Sequence, residues 1–238
     1  LALAISLIFS PMKSHLLFLI ALLWAPALSA QSFDPTWYTE LSVDSFFKTE
    51  AAQTVIDVEK PNYALLNAAV FFAANEQRLK RGLPPLQHDP LLEKAAAFHS
   101  DEMRSKRFFN HINKTDKENR TPEQRISNQG ADYDAIGENI LEMPPYKTGS
   151  TGEYEVDKNQ DGSYRFVGTN GKPLKVLTYG DFARAAVKLW MKSPEHKANV
   201  MSKAFTHLGC GNSIEEDPFQ YKSLPMVLVT QNFGTTAP

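Results

Sequence analysis

The hydrophobic period of this chain changes twice, and that change limits what it can fold into. Over residues 61–81, Leu65, Ala68, Ala69, Phe72 and Leu79 fall on one helical face, and Gly82 suits a helix end. Asp89-Pro90 reads as N-cap and first-turn proline of a second helix reaching about Arg107, with Leu92, Ala95, Ala96, His99 and Met103 as its apolar stripe. Residues 143–180 then alternate at period two in Glu153-Tyr154-Glu155-Val156 and Tyr164-Arg165-Phe166-Val167. Asp161-Gly162 and Asn170-Gly171 supply hairpin turns. A helix capped by Asp181 runs through Trp190, and a short one starts at Ser193. Runs at 207–214 and 226–233 read as strands. Helices around a few antiparallel strands predict an α+β layered domain carrying an inserted β-hairpin.

The ends add two expectations. Met12-Lys13, the apolar run from Leu16 to Leu23 and the small residues through Ala30 have the pattern of an export signal, with residues 1–11 as an upstream extension of the reading frame. Residues 31–60 form a lead-in holding Trp37, Tyr38, Phe46 and Phe47, and 61–238 form the main domain. The expected location is secreted or periplasmic, with no stable membrane span after cleavage. The chain has one cysteine, Cys210, so it folds without an internal disulfide and must rely on its core. Of 238 residues, 42% are hydrophobic, which is enough for one good core. A net charge of −2 gives no basic excess for nucleic acid.

Ser193-Pro194-Glu195-His196 obeys helix-start chemistry: serine as N-cap, proline in the first turn, an acid at the positive helix end. By that reading alone His196 is an ordinary surface or packing histidine. His99 reads as a satisfied core histidine, Arg125 as locally paired, and Cys210 as a small buried hydrophobe. Asp157, Asn159 and Asp161 before Gly162 match the first half of a calcium loop, although Gly168 stands where a bidentate glutamate is needed. The same residues also read as an ordinary hairpin turn. Asn113-Lys114-Thr115 and Asn119-Arg120-Thr121 fit the glycosylation pattern and also read as plain polar loop residues. No serine occupies a Gly-x-Ser-x-Gly elbow.

Five segments in order change the weight of His196. They are Phe108-Phe109-Asn110-His111, Gly137-Glu138-Asn139-Ile140, Trp190 through Met201, Gly209-Cys210-Gly211, and Thr230-Gln231-Asn232-Phe233. Together they resemble the CAP superfamily of cysteine-rich secretory, antigen 5 and pathogenesis-related proteins, and especially its bacterial SCP-like branch. The resemblance implies a three-layer α-β-α sandwich with a small antiparallel sheet. It also implies a cleft with two histidines and two acids. Matching motifs place His111, Glu138 and His196 there. Ser193 stands where animal and plant members carry the second glutamate, and Glu195 is a neighbouring acid to which the resemblance assigns no role.

Two functions follow as expectations. In the first, the cleft binds a ligand: a lipid, a cell-envelope component or a protein. Some family members bind sterols or fatty acids, but their lipid-contact regions have no match in this chain. In the second, His111, His196 and Glu138 hold a divalent metal such as zinc for hydrolysis, with peptides as candidate substrates and Glu138 as base. A purely structural envelope role is a third.

Overall fold

The structure, a computed structural model, describes residues 33–148 and 152–235. The expected export signal therefore lies outside the described residues, as do residues 149–151 within the insertion.

The lead-in forms three short helices, α1 (Trp37–Glu40), α2 (Val43–Lys48) and α3 (Glu50–Gln53). Ser42 and Thr49 cap the latter two by accepting from the Ser45 and Ala52 amides. Helix α4 (Tyr63–Leu79) begins where the Asn62 side chain accepts the Leu65 N–H at 3.0 Å. It ends where Gly82, at φ 70°, lets Leu83 N–H reach back to the Arg78 carbonyl. From Leu65 to Ala74 nearly every side chain of α4 is buried, so it is a central helix covered on all sides.

Strand β1 (Gln87–His88) leads to α5 (Pro90–Ser105), whose first turn is held by Asp89 bonding the Leu91 and Leu92 amides. A Thr121–Gln124 capping box starts α6 (Pro122–Ser127). Next come β2 (Ala135–Met143), β3 (Tyr146–Lys147), β4 (Glu155–Lys158), β5 (Tyr164–Val167) and β6 (Lys175–Val176). The expected hairpin is β4 against β5, nested inside a second small pairing of β3 with β6. Helices α7 (Tyr179–Trp190) and α8 (Pro194–Met201) and strands β7 (His207–Ile214) and β8 (Val227–Thr235) complete the chain. Thr178, not Asp181, caps α7: its hydroxyl accepts the Asp181 N–H, which places Asp181 inside the first turn.

The main sheet has the order β1-β7-β8-β2. It is antiparallel except where β1 runs parallel to β7. Helix α5 packs on one face; α4 packs on the other and carries α7 and α8 beside it. This is an α-β-α sandwich with a small antiparallel sheet. Its main core joins the lead-in, α4, α7 and the inner sheet face through Phe46, Phe72, Phe182, Trp190, Val229 and Phe233. Strand β2, absent from the sequence expectation, lies at the sheet edge, and the motif residues meet there.

Candidate functional site

Glu138 and Asn139 are consecutive in β2 and so point to opposite faces. Asn139 faces α8. Its Nδ2 donates to the His196 carbonyl at 3.1 Å, and its Oδ1 accepts from Asn199 Nδ2 at 2.9 Å. Asn199 also donates to the Glu138 carbonyl, while Trp190 Nε1 donates to the Ile140 carbonyl at 3.0 Å. These side chains occupy edge carbonyls of β2 and hold α8 on the strand. Ser193 stands at the N-cap position of α8, but its side chain makes no cap hydrogen bond. Only its carbonyl serves the helix, accepting from Lys197 N–H. The serine-cap expectation is corrected there: the amide ladder, rather than the Ser193 hydroxyl, holds this helix start.

Glu138 faces α5 and is 2% exposed at the side chain. Its Oε2 accepts from Arg125 Nη2 at 2.7 Å. The amide of Asn232, with its nitrogen turned toward the same oxygen, donates at 3.1 Å. The Oε1 meets His111 Nδ1 at 2.8 Å, and His99 Nε2 lies 3.8 Å away. Both carboxylate oxygens are therefore engaged with protein groups. Arg125 is wholly buried and reaches well beyond a local partner. Besides Glu138, 13 residues away in sequence, it donates to the carbonyls of His111, Asn119 and Arg120. One guanidinium thus fixes both the carboxylate and the loop that presents His111. Asn110 tightens that loop by accepting the Ile112 N–H, and Asn113, 1% exposed, bonds Glu102. Asn113 is thus a buried loop anchor.

His99 is buried but only half satisfied. Its Nε2 donates to the Asn110 carbonyl at 3.1 Å, while Nδ1 has no partner. Burial pulls its pKa down to about 4, against the opposing pull of the Glu138 charge, so the folded chain holds it neutral. His196 is half-buried, and its pKa is lowered by burial first and then by the nearby His111, with Glu195 opposing. His111 and His196 therefore flank β2 from its two sides: the loop after α5 carries one and α8 the other. Glu195 is exposed, and among the described residues no hydrogen bond or ion pair joins it to Glu138.

No group of three or more His, Cys, Asp or Glu among the described residues is arranged to hold a metal ion. The half-loop of the insertion is closed on itself. Asp157 pairs with Arg165 at 2.8 Å, Asn159 bonds Ser163, and Asp161 accepts both the N–H and hydroxyl of Ser163. Its oxygens serve the β4–β5 turn, with Gly162 at φ 91°. Cys210 is fully buried and its thiol pKa is pushed up by burial, as a packing residue requires. Sequence reasoning missed Asn232 and undervalued Arg125 and His99. The available signals were an arginine within a capped turn before Gly137-Glu138 and the Gln231-Asn232 pair.

An α-β-α sandwich whose edge strand carries a buried Glu–Arg pair, with His99 and the part-exposed His111 against it and a further histidine on the helix across the strand, defines a class of domain. The model of the cysteine-rich secretory protein family, CAP, matches residues 71–233, and the chain belongs to that family. The uncharacterized protein YkwD of Bacillus subtilis is 29% identical over 163 residues, covering 68% of this chain and 45% of that protein; the chain thus spans less than half of that relative's length. Among solved structures, an extracellular SCP-domain protein from Bacillus anthracis is similar with TM-score 0.49 and 21% identity, covering 75% of this chain and 43% of the other. An outer surface protein of Borrelia burgdorferi is similar with TM-score 0.44 and 16% identity, covering 71% of this chain and 92% of the other. No helix among the described residues is long and apolar enough to cross a membrane.

Proposed function

We propose that this chain is an exported binding protein whose ligand, a lipid, envelope component or protein, contacts His111 and His196 across the edge of β2. The observation that carries this reading is the saturation of Glu138. Arg125 and Asn232 occupy one of its oxygens and His111 the other. A carboxylate held so firmly is poorly placed to take a proton from a reacting group, but it is well placed to fix an imidazole. With Nδ1 donating to Glu138, the other nitrogen of His111 is left for a ligand. The export pattern at residues 12–30 and the description of similar proteins as extracellular or outer-surface support the exported half.

One observation keeps a metal in view. An imidazole whose Nδ1–H is held by a carboxylate is the usual arrangement of a metal-bound histidine. The lowered pKa of His196 favours the neutral form that binds metal. His111 and His196 would then hold the ion and Glu138 would orient His111; the ion would supply a Lewis acid for a bound group. A hydrolase of this kind needs a base other than Glu138.

Native mass spectrometry of the full chain after incubation with cell-envelope extract tests the leading reading. A reproducible adduct is expected, reduced at least about tenfold in His111→Ala and in His196→Ala, the loss of a charge-assisted or ligand contact. An adduct unchanged in both variants removes the cleft as the site. For the metal, zinc titration followed by imidazole NMR signals of His111 and His196 gives a readout that needs no turnover.

A further inference from the structure

Residues two apart on a strand share a face, so Ile140 and Glu142 lie on the same side of β2 as Glu138. Four residues of strand put Glu142 roughly 13 Å beyond Glu138. There it enters a separate cavity of about 590 Å³. Phe108 is the partition: it lines this cavity, and its ring also lies 5.9 Å from that of His99. The floor is apolar, made by the buried Met103 and Leu228 with Phe108. The rim carries Phe109 and Tyr221, both among the large hydrophobic side chains most open to solvent.

The charges on the wall are unevenly committed. Arg104 is spent on three acceptors: Ser213 Oγ at 2.7 Å, Asp101 at 2.6 Å and Glu216 at 2.8 Å. The Glu142 side chain has no hydrogen-bond or ion-pair partner among the described residues. Glu142 is exposed overall at the end of β2, and its carboxyl pKa is raised by partial loss of water in the cavity wall and by the nearby Glu215. Glu215 Oε2 accepts the Met226 N–H at 3.1 Å, so Glu142 and the second oxygen of Glu215 face the same space, and among the described residues Arg107 is the lining cation outside an ion pair.

We propose that this cavity binds a peptide through a lysine or arginine side chain, with Glu142 and Glu215 receiving the charge and Phe109 and Tyr221 flanking its stem. A cation between the two acids relieves their repulsion, which an anion would worsen. The long aliphatic stem of a basic side chain needs apolar cover, and the Met103–Phe108–Leu228 floor supplies it. Exposed aromatic faces add attraction for the cation. A volume of 590 Å³ accommodates more than one side chain, as a peptide with an apolar residue beside the basic one requires. The site is distinct from the His111–His196 cleft and does not depend on what binds there.

The test is a titration of the full chain with acetyl-Phe-Lys-Phe-amide, its Nζ-acetyl-lysine counterpart and cadaverine, followed by methyl NMR of Met103 and Leu228. Saturable shifts at both methyl groups are expected with the lysine peptide, and about tenfold weaker binding once the amine is acetylated. Glu142→Gln should weaken binding about fivefold, while Arg107→Ala leaves it equal or tighter. Circular dichroism checks that both variants fold. Equal affinity for the acetylated peptide, loss of binding in Arg107→Ala, or no shift at millimolar peptide overturns the proposal. Cadaverine binding as tightly as the peptide overturns its peptide part and reassigns the cavity to free amines.

Discussion

At the scale of single residues, the site depends on charges withdrawn from water. Arg125 and Glu138 are an ion pair with almost no exposure, and such a pair persists only when further hydrogen bonds satisfy both partners. His111, Asn232 and three loop carbonyls do that for the carboxylate and for both terminal nitrogens of the guanidinium, while Arg125 Nε is buried without a partner. His99, packed beside them, is held neutral with a pKa of about 4 against an ordinary 6.5. Because the folded value is lowered, the unfolded chain binds more protons between those values. Stability is therefore full above about pH 6.5 and falls as the pH drops toward 4. At pH 4.5 the loss from this one residue is roughly 2–3 kcal/mol. Urea unfolding at pH 7 and pH 4.5 should show that difference between the native chain and His99→Gln, which cannot titrate in this range. Equal pH dependence in the two would refute the assignment. A sequence pattern places His99 on an apolar stripe, but it cannot reveal that one ring nitrogen is orphaned or that a carboxylate lies 3.8 Å away.

At the scale of elements, the contact between α5 and β7 explains Gly209-Cys210-Gly211. A Cβ on Gly209 would overlap the Glu93 amide nitrogen, and one on Gly211 would overlap that of Ala97. Two strand residues rise about 7 Å and four helix residues about 6 Å, so glycines two apart keep pace with helix positions four apart. The helix backbone thus lies directly on the strand, while Cys210, between the glycines, points into the core on the other face. Gly211→Ala should cost about 2–3 kcal/mol, as overpacking against an unyielding backbone does. Thermal unfolding checks this; a variant within about 0.5 kcal/mol of the native chain would show that α5 can lift off freely. The legibility of elements followed the same physics. Strand β7 and the β4–β5 hairpin announced themselves by run and turn. Strand β2 did not, because Glu138 and Asn139 are buried polar residues whose partners come from α6, α8 and β8.

At the scale of the whole molecule, the family match begins at residue 71, yet the core begins earlier. Five motifs made the sandwich legible, and they pointed to His111, Glu138 and His196, which the fold sets on one edge strand and its flanks. They could not show that Arg125 ties the cluster, since that contact depends on how the loop between α5 and α6 closes. Nor could they show where the lead-in docks. Phe46 is fully buried, stacks on Phe72 of α4 at 4.2 Å and meets Trp37 edge-on. Tyr38 stacks on His88 at 3.5 Å and donates to Glu93 at the start of α5. The lead-in is therefore bound to both outer layers of the sandwich, and its loosening should be felt throughout. Phe46→Ala removes a ring from a close-packed aromatic group and should destabilise the entire chain by about 3–5 kcal/mol. If the lead-in is one cooperative unit with the sandwich, the variant unfolds in a single transition shifted to lower urea. Tryptophan fluorescence from Trp37 in the lead-in and Trp190 in α7 should then move together with far-ultraviolet circular dichroism. An early transition seen by fluorescence alone, with the circular dichroism midpoint unchanged, would instead mean that residues 33–58 detach while the sandwich stays folded.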